Sequence, residues 1–147
     1  MFRTDGSRPA TFVEITTGCR LDGQLLWRRL DEGSVVTATV GEHLLGGAPF
    51  DDFEDALAGL RSELEAVGLM MACNRFRRDA FVSSLARQMS SGLGCYLVRK
   101  KHPVDPDDLV ASLDETDLDA IATIEESTAH IEAWIESCQP RGLRWRR

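Results

Sequence analysis

The sequence predicts an α+β fold, built as an antiparallel β-meander, a helix, a strand-helix-strand unit and a long C-terminal helix. Three patterns support this order. β-Branched runs separated by Gly-containing turns fill residues 11–40, and apolar stripes with helical spacing occupy residues 50–67 and 117–138. We expect the strands to form one mixed sheet that is packed by the helices.

The length of 147 residues and a composition of 43% hydrophobic and 28% charged residues are typical of one globular domain. We expect a flexible N-terminus over residues 1–10, a single domain over residues 11–138 and a basic C-terminal tail over residues 139–147. The first residues contain no apolar core of a secretory signal, and no apolar run approaches the roughly 20 residues of a membrane span. We therefore expect a cytoplasmic protein with reduced cysteines that does not bind a membrane.

The predicted meander has three strands, and short turns such as Asp22-Gly23 connect them. The strands span residues 11–17, 24–30 and 35–40, and residues 43–49 are expected to be a loop. The helix over residues 50–67 has Asp51 or Asp52 as its N-cap and Gly68 at its C-terminal end. Its apolar face consists of Phe53, Ala56, Leu57, Leu60, Leu64 and Val67.

The stretch from Leu69 to Arg99 is the centre of the chain. A continuous apolar run predicts a buried strand over residues 69–73, and a second strand is predicted over residues 95–99. Between them, Asp79 is a suitable N-cap for a helix over residues 80–89.

The C-terminal part is predicted to be a short helix or a loop over residues 105–113, then a helix over residues 117–138 that ends before Pro140 and Gly142. The residues that we expect to be nearly fully buried in the whole chain are Leu57, Leu60, Leu64, Met70, Ala72, Leu97, Ile121 and Ile131.

The chain has a net charge of −7, and its charged residues are unevenly distributed along the sequence. Residues 73–104 contain seven Lys or Arg residues and only Asp79 as an acid, whereas residues 105–138 contain eleven acids and no Lys or Arg. Nucleic-acid binders typically have a basic face that is not balanced by an acidic segment of this size, so nucleic-acid binding is not expected here.

The polar residues of the central stretch are candidates for an anion-binding or partner-binding site. They are Asn74, Arg75, Arg77, Arg78, Ser90 and Ser91. Guanidinium groups and the start of a helix both favour phosphate or carboxylate groups. Alternatively, these arginines pair with the acidic segment of residues 105–136 and hold the last helix in place. We expect a mixed outcome, in which Arg75 is buried and structural and Arg77 or Arg78 remains available.

No catalytic, metal or cofactor motif stands out in the sequence. The serine pairs lack an adjacent histidine, the carboxylates do not follow a metal-ligand spacing, and Gly92-Leu93-Gly94 precedes a strand rather than a helix. We therefore expect a non-catalytic cytosolic protein-binding module, such as an acidic inhibitor, an immunity protein or an adaptor, with another protein as its partner and without cofactor or metal. The alternative is a small-molecule or phosphate-binding module or enzyme that uses Asn74, Arg75, Arg78 and Ser91. The sequence is compatible with a monomer and with a homo-oligomer.

Overall fold

The computed structural model of the chain describes residues 2–139, and the α+β class is confirmed. These residues form a five-stranded sheet, a three-stranded sheet and three α-helices. The strands are β1 (Gly6–Glu14), β2 (Arg20–Leu30), β3 (Gly33–Val40), β4 (His43–Gly46), β5 (Leu69–Met71), β6 (Ala80–Phe81), β7 (Gly94–Leu97) and β8 (Leu109–Ala111), and the helices are α1 (Phe53–Ala66), α2 (Ser84–Ser90) and α3 (Ile124–Ser137). Short 3-10 turns cover Asn74–Phe76, Pro106–Asp108 and Leu118–Ala120.

The larger sheet is antiparallel throughout, with the strand order β4-β3-β2-β1-β5. Helix α1 packs on one of its faces, so that Leu57 and Leu60 share a core with Phe12 and Leu25 of the sheet. The Cα partner of Phe12 is Met71, which places β5 beside β1 at the edge of the sheet. The chain therefore leaves α1 through Gly68 and returns to the same sheet.

The meander is longer than predicted at both ends. Residues 6–10, which we expected to be part of a flexible terminus, form the first half of β1. Residues 43–46, which we expected to be in a loop, form β4 and pair with β3. Period-two alternation is weak in both segments, and it is the pairing with a neighbouring strand that makes them extended.

The expectation of one mixed sheet is wrong, because β7 lies between β6 and β8 in a separate antiparallel sheet. The predicted helix over residues 80–89 is also too long at its start. Arg77 binds the Asp79 carboxylate at 2.8 and 3.0 Å, so that this carboxylate does not cap a helix. Ala80 and Phe81 instead pair with β7, and α2 begins after Ser83, whose hydroxyl accepts a hydrogen bond from the Ala86 amide at 3.1 Å.

The last helix, α3, is shorter than predicted. It begins after Thr123, which forms a capping box with Glu126: each side chain accepts a hydrogen bond from the backbone amide of the other residue, at 3.2 and 2.9 Å. Residues 117–123 form a 3-10 turn and an extended segment instead. Residues 105–113 combine a 3-10 turn with β8, so neither predicted alternative describes them fully. Pro140, Gly142 and most of the basic tail lie outside the described residues.

Most of the predicted core is buried. Leu57, Leu60, Leu64, Ala72 and Ile121 are buried as predicted, whereas Met70, Leu97 and Ile131 are only half-buried. Met70 points away from α1 because its neighbours Leu69 and Met71 point towards it. In α3, Trp134 is more buried than Ile131, and its ring lies 5.1 Å from that of Phe81. None of the helices in residues 2–139 is long and apolar enough to cross a membrane.

Candidate functional site

An open groove of about 480 Å³ runs between α1 and α3, and we call it the α1–α3 groove. Its floor is buried, and its walls are partly or fully exposed to solvent. The floor consists of Arg61, Phe76, Ala80 and Ser127; the walls consist of Glu54, Ala58, Ser62, Arg75, Phe81, Val82, Ile124, Thr128, Ile131 and Glu132. Half of these side chains are apolar, and apolar atoms form most of the exposed surface of the groove. All but one of the polar side chains lie on the two helices.

Arg61 supports the floor of the groove. Its Nη2 donates hydrogen bonds to the Ser127 hydroxyl at 2.7 Å and to the Ala122 carbonyl at 2.8 Å, with a longer bond of 3.3 Å to the Phe76 carbonyl. The guanidinium also lies 5.0 Å from the centre of the Phe76 ring. Burial and, next, the charge of Arg75 lower the pKa of Arg61. This one side chain therefore joins α1, the turn after β5 and the start of α3.

Arg75 and Glu54 form a bidentate ion pair in the wall of the groove. Nε and Nη2 of Arg75 lie 2.8 and 2.7 Å from the two carboxylate oxygens of Glu54. Burial alone would lower the pKa of Arg75, but the hydrogen bonds and the charge of Glu54 raise it overall. Close packing holds Glu54 in place, because a Cβ atom on Gly92, which has φ of +88°, would lie 2.3 Å from the Glu54 backbone nitrogen.

The predicted site residues are not brought together in one cavity. Arg75 lines the α1–α3 groove, while Arg77 and Arg78 line a separate cleft. Asn74 donates its side-chain amide to the Ala111 carbonyl at 3.0 Å, which joins β8 to the turn after β5. Each of these residues therefore contacts a different part of the fold.

The two serines make structural contacts at the end of α2. Ser90 donates its hydroxyl to the Ala86 carbonyl at 2.6 Å and accepts from the Gly94 amide at 3.1 Å. Ser91 has a left-handed backbone with φ of 58° and accepts a hydrogen bond from Arg29 at 3.1 Å. Neither serine has a histidine among these hydrogen-bond partners.

The expected pairing of Arg75 with the acidic segment of residues 105–136 is wrong, since its partner Glu54 lies in α1. Backbone bonds attach that segment to the turn instead. The Asn74 and Arg75 amides donate to the Asp114 and Ser112 carbonyls, each at 2.9 Å. Arg77 binds Asp79 and the Thr116 hydroxyl, whereas the Arg78 side chain is exposed.

Sequence reasoning missed the α1–α3 groove. One signal was present: Arg61 interrupts the apolar face of α1 between Leu57 and Leu64, and a cation on such a face has to find partners in a neighbouring element. The exposed Ile124 and the half-buried Phe81 gave no comparable signal, because the pattern placed both inside helices.

Cys73 and Cys95 are the buried cysteines of the described residues. Burial raises the pKa of the Cys73 thiol to about 12 and that of the Cys95 thiol to about 11, so both thiols are neutral and weakly nucleophilic. Within residues 2–139, no group of three or more His, Cys, Asp or Glu side chains is arranged to hold a metal ion.

Comparison of the chain with protein-family models and with curated protein sequences finds no match. The function is therefore inferred from the geometry of the α+β domain and its groove.

Proposed function

We propose that this chain is a non-catalytic cytosolic protein-binding module, of the kind found in inhibitors, immunity proteins and adaptors, and that it binds its partner in the α1–α3 groove. The observation that supports this proposal is the open, mainly apolar groove of about 480 Å³ between two helices. Grooves of this form accept apolar anchor residues of a helix or an extended segment of another protein.

The charge of the two helices that border the groove favours a basic partner. Helices α1 and α3 together carry eight acidic residues, four on each, and Arg61 as their only arginine or lysine. Arg61 is buried in the floor and Arg75 neutralises Glu54 in the wall, so the net negative charge near the groove comes from the other acidic residues of the two helices. The partner that fits is a segment with apolar anchors flanked by Lys or Arg, and this complementarity would act mainly on the association rate and on specificity.

Helix α2 offers a second apolar surface for the same partner. Leu85 and Met89 are one helical turn apart and are 63% and 78% exposed. Arg87 of α2 pairs with Asp52 and Asp55, so α2 lies against the N-terminal end of α1, next to Glu54 of the groove.

The proposal is tested by selecting a displayed library of random 12-residue peptides on the protein and on two variants. Ala58→Arg places a long cation across the groove at an exposed helical position, and Ala133→Arg is the matched control on the exposed face of α3 away from the groove. We expect the selected peptides to combine apolar and basic residues and to bind Ala58→Arg at least about tenfold more weakly, a loss of about 1.4 kcal/mol. The Ala133→Arg variant should bind as the parent protein does. Peptides that bind Ala58→Arg unchanged, or a selection that yields no peptide, would contradict the proposal.

A further inference from the structure

A basic cleft of about 340 Å³ lies outside the α1–α3 groove, where β6 begins and β7 ends. Its charged walls come from the turn before β6, the turn after β7 and α3. The charged and imidazole side chains that line it are Arg77, Arg78, Asp79, Arg99, Lys100 and His130.

Hydrogen bonds hold the walls of this basic cleft together. The Arg78 amide donates to the Ala120 carbonyl and the Val98 amide to the Asp79 carbonyl, both at 2.9 Å. The turn that carries Arg99 and Lys100 is attached to α3, because the Trp134 indole donates to the His102 carbonyl at 2.8 Å. The cationic groups are therefore presented from backbone that is fixed before any ligand arrives, which reduces the entropy cost of binding.

The acid within the cleft is already neutralised. Two hydrogen bonds from Arg77 satisfy the Asp79 carboxylate, and this pairing is the main cause that raises the pKa of Arg77. In contrast, the exposed side chains of Arg78, Arg99 and Lys100 form no hydrogen bond or ion pair with the rest of residues 2–139. Three positive charges thus remain over the cleft.

Two nearby acids limit the extent of this positive region. Asp117 contributes to the raised pKa of Arg77, and Arg78 contributes to the lowered pKa of Glu126, whose carboxylate accepts the Thr123 amide in the capping box of α3. These two carboxylates lie beside the cleft in a chain whose net charge is −7. A long polyanion would extend beyond the cleft and meet this repulsion, whereas a compact one would not.

We propose that the cleft between Arg78, Arg99, Lys100 and His130 binds a compact phosphorylated small molecule through a diphosphate group. Guanidinium forks and an ammonium group are the side chains that match phosphoryl oxygens, and the imidazole of His130 supplies a further donor. Arg78 belongs to the site that the sequence indicated, whereas Arg99, Lys100 and His130 reach it through the fold. This inference does not depend on the α1–α3 groove.

The test uses isothermal titration of the full chain with inorganic pyrophosphate and, separately, orthophosphate at low ionic strength. We expect saturable pyrophosphate binding that is at least about tenfold tighter than orthophosphate binding, since more cations are engaged. Arg78→Gln and Lys100→Gln should each weaken pyrophosphate binding by about fivefold or more. Arg20→Gln, an exposed arginine of β2, is the matched control and should leave binding unchanged. All three positions are exposed, so circular dichroism should show unchanged folding.

Several results would overturn the inference. One is the absence of saturable pyrophosphate binding, and another is a loss of pyrophosphate affinity in Arg20→Gln equal to that in Arg78→Gln. A third is binding of a single-stranded 12-nucleotide DNA that is tighter than pyrophosphate binding and is abolished by Arg78→Gln, which would assign the cleft to nucleic acid instead. Ala58→Arg should bind pyrophosphate normally, so that failure of the groove proposal and failure of this one give different results.

Discussion

Arg75 and Glu54 are joined by two hydrogen bonds of 2.8 and 2.7 Å, which connect the turn after β5 to the first helical turn of α1. The side chains are 20% and 16% exposed, so this pair is much less hydrated than a surface ion pair. Arg75, which we expected to be structural, is thus neutralised within the fold, whereas Arg78 and the turn after β7 present exposed cations at the basic cleft.

Removal of one member of this pair should destabilise the fold. We expect Glu54→Gln to lower the free energy of unfolding by about 3 kcal/mol, the lower end of the range for broken buried pairs, because Arg75 would be left without its counter-charge. Urea denaturation measures the change. Asp55→Asn is the matched control: its ion pair with Arg87 is 46% and 42% exposed and should cost less than about 1 kcal/mol. Equal losses in the two variants would contradict the assignment of Arg75 as a structural residue.

Arg61 should not be replaceable by lysine. The substitution Arg61→Lys keeps the charge, but the lysine side chain is shorter, so its ammonium does not reach the position from which Nη2 binds Phe76, Ala122 and Ser127. It also removes the planar cation that lies over the Phe76 ring. We expect a loss of about 1–3 kcal/mol, since at least one buried acceptor loses its donor. Arg28→Lys in β2, where the side chain is exposed, should be neutral in the same urea titration. A stable Arg61→Lys protein would mean that the hydrogen bonds to α3 are dispensable.

The apolar face of α1 should carry much of the stability. Leu60 is 0% exposed, whereas Val67 just after the helix is 40% exposed. Leu60→Ala should therefore cost about 2–5 kcal/mol through lost burial and a cavity. Val67→Ala should change the free energy of unfolding by less than about 1 kcal/mol. If thermal and urea denaturation gave similar losses for both, the packing of α1 on the sheet would be in doubt.

The accuracy of the sequence predictions followed the strength of local signals. Helix α1 was found because its apolar spacing, the cap at Asp52 and Gly68 all agree. The segment from Asp79 was misassigned because a side chain two residues away, Arg77, occupies the carboxylate that would have capped a helix. Such competition depends on three-dimensional neighbours, and no periodicity reports it.

The candidate sites were harder to predict than the fold. Both cavities are formed by residues far apart in sequence, such as Ala58 with Ile124 in the groove and Arg78 with His130 in the basic cleft. The clustering of arginines from residues 75 to 78 predicted one anion-binding or partner-binding site, but Arg75 lines the groove while Arg77 and Arg78 line the basic cleft. Only the fold shows that Arg75 points to α1 and Arg78 to the cleft.

The reactivity of the thiols should follow their burial. Cys19 is exposed, whereas Cys73 and Cys95 are buried and keep their protons because burial raises the pKa of each thiol. At pH 8, we expect a disulfide reagent to label Cys19 rapidly and to label Cys73 and Cys95 only after unfolding. Mass spectrometry of the labelled peptides identifies the sites. Rapid labelling of Cys73 in the folded protein would show that the core around it opens readily.

The same two thiols should make the fold less stable at alkaline pH. In the unfolded chain they ionise near pH 9, whereas in the folded protein the pKa of Cys73 is about 12 and that of Cys95 about 11. Between these values the folded state binds more protons than the unfolded state, so the free energy of unfolding falls as pH rises, by up to about 1.4 kcal/mol per pH unit for each thiol. Urea denaturation between pH 8 and pH 10, about the interval in which the unfolded thiols lose their protons, measures this slope.

Because lysine and tyrosine residues also titrate there, the informative quantity is the difference in slope between variants. Cys73→Ala should be less stable than the parent protein but should lose less stability per pH unit, while Cys19→Ala, which changes an exposed thiol, should keep the parent slope. Parallel pH profiles for all three proteins would show that Cys73 ionises equally well in the folded and unfolded states.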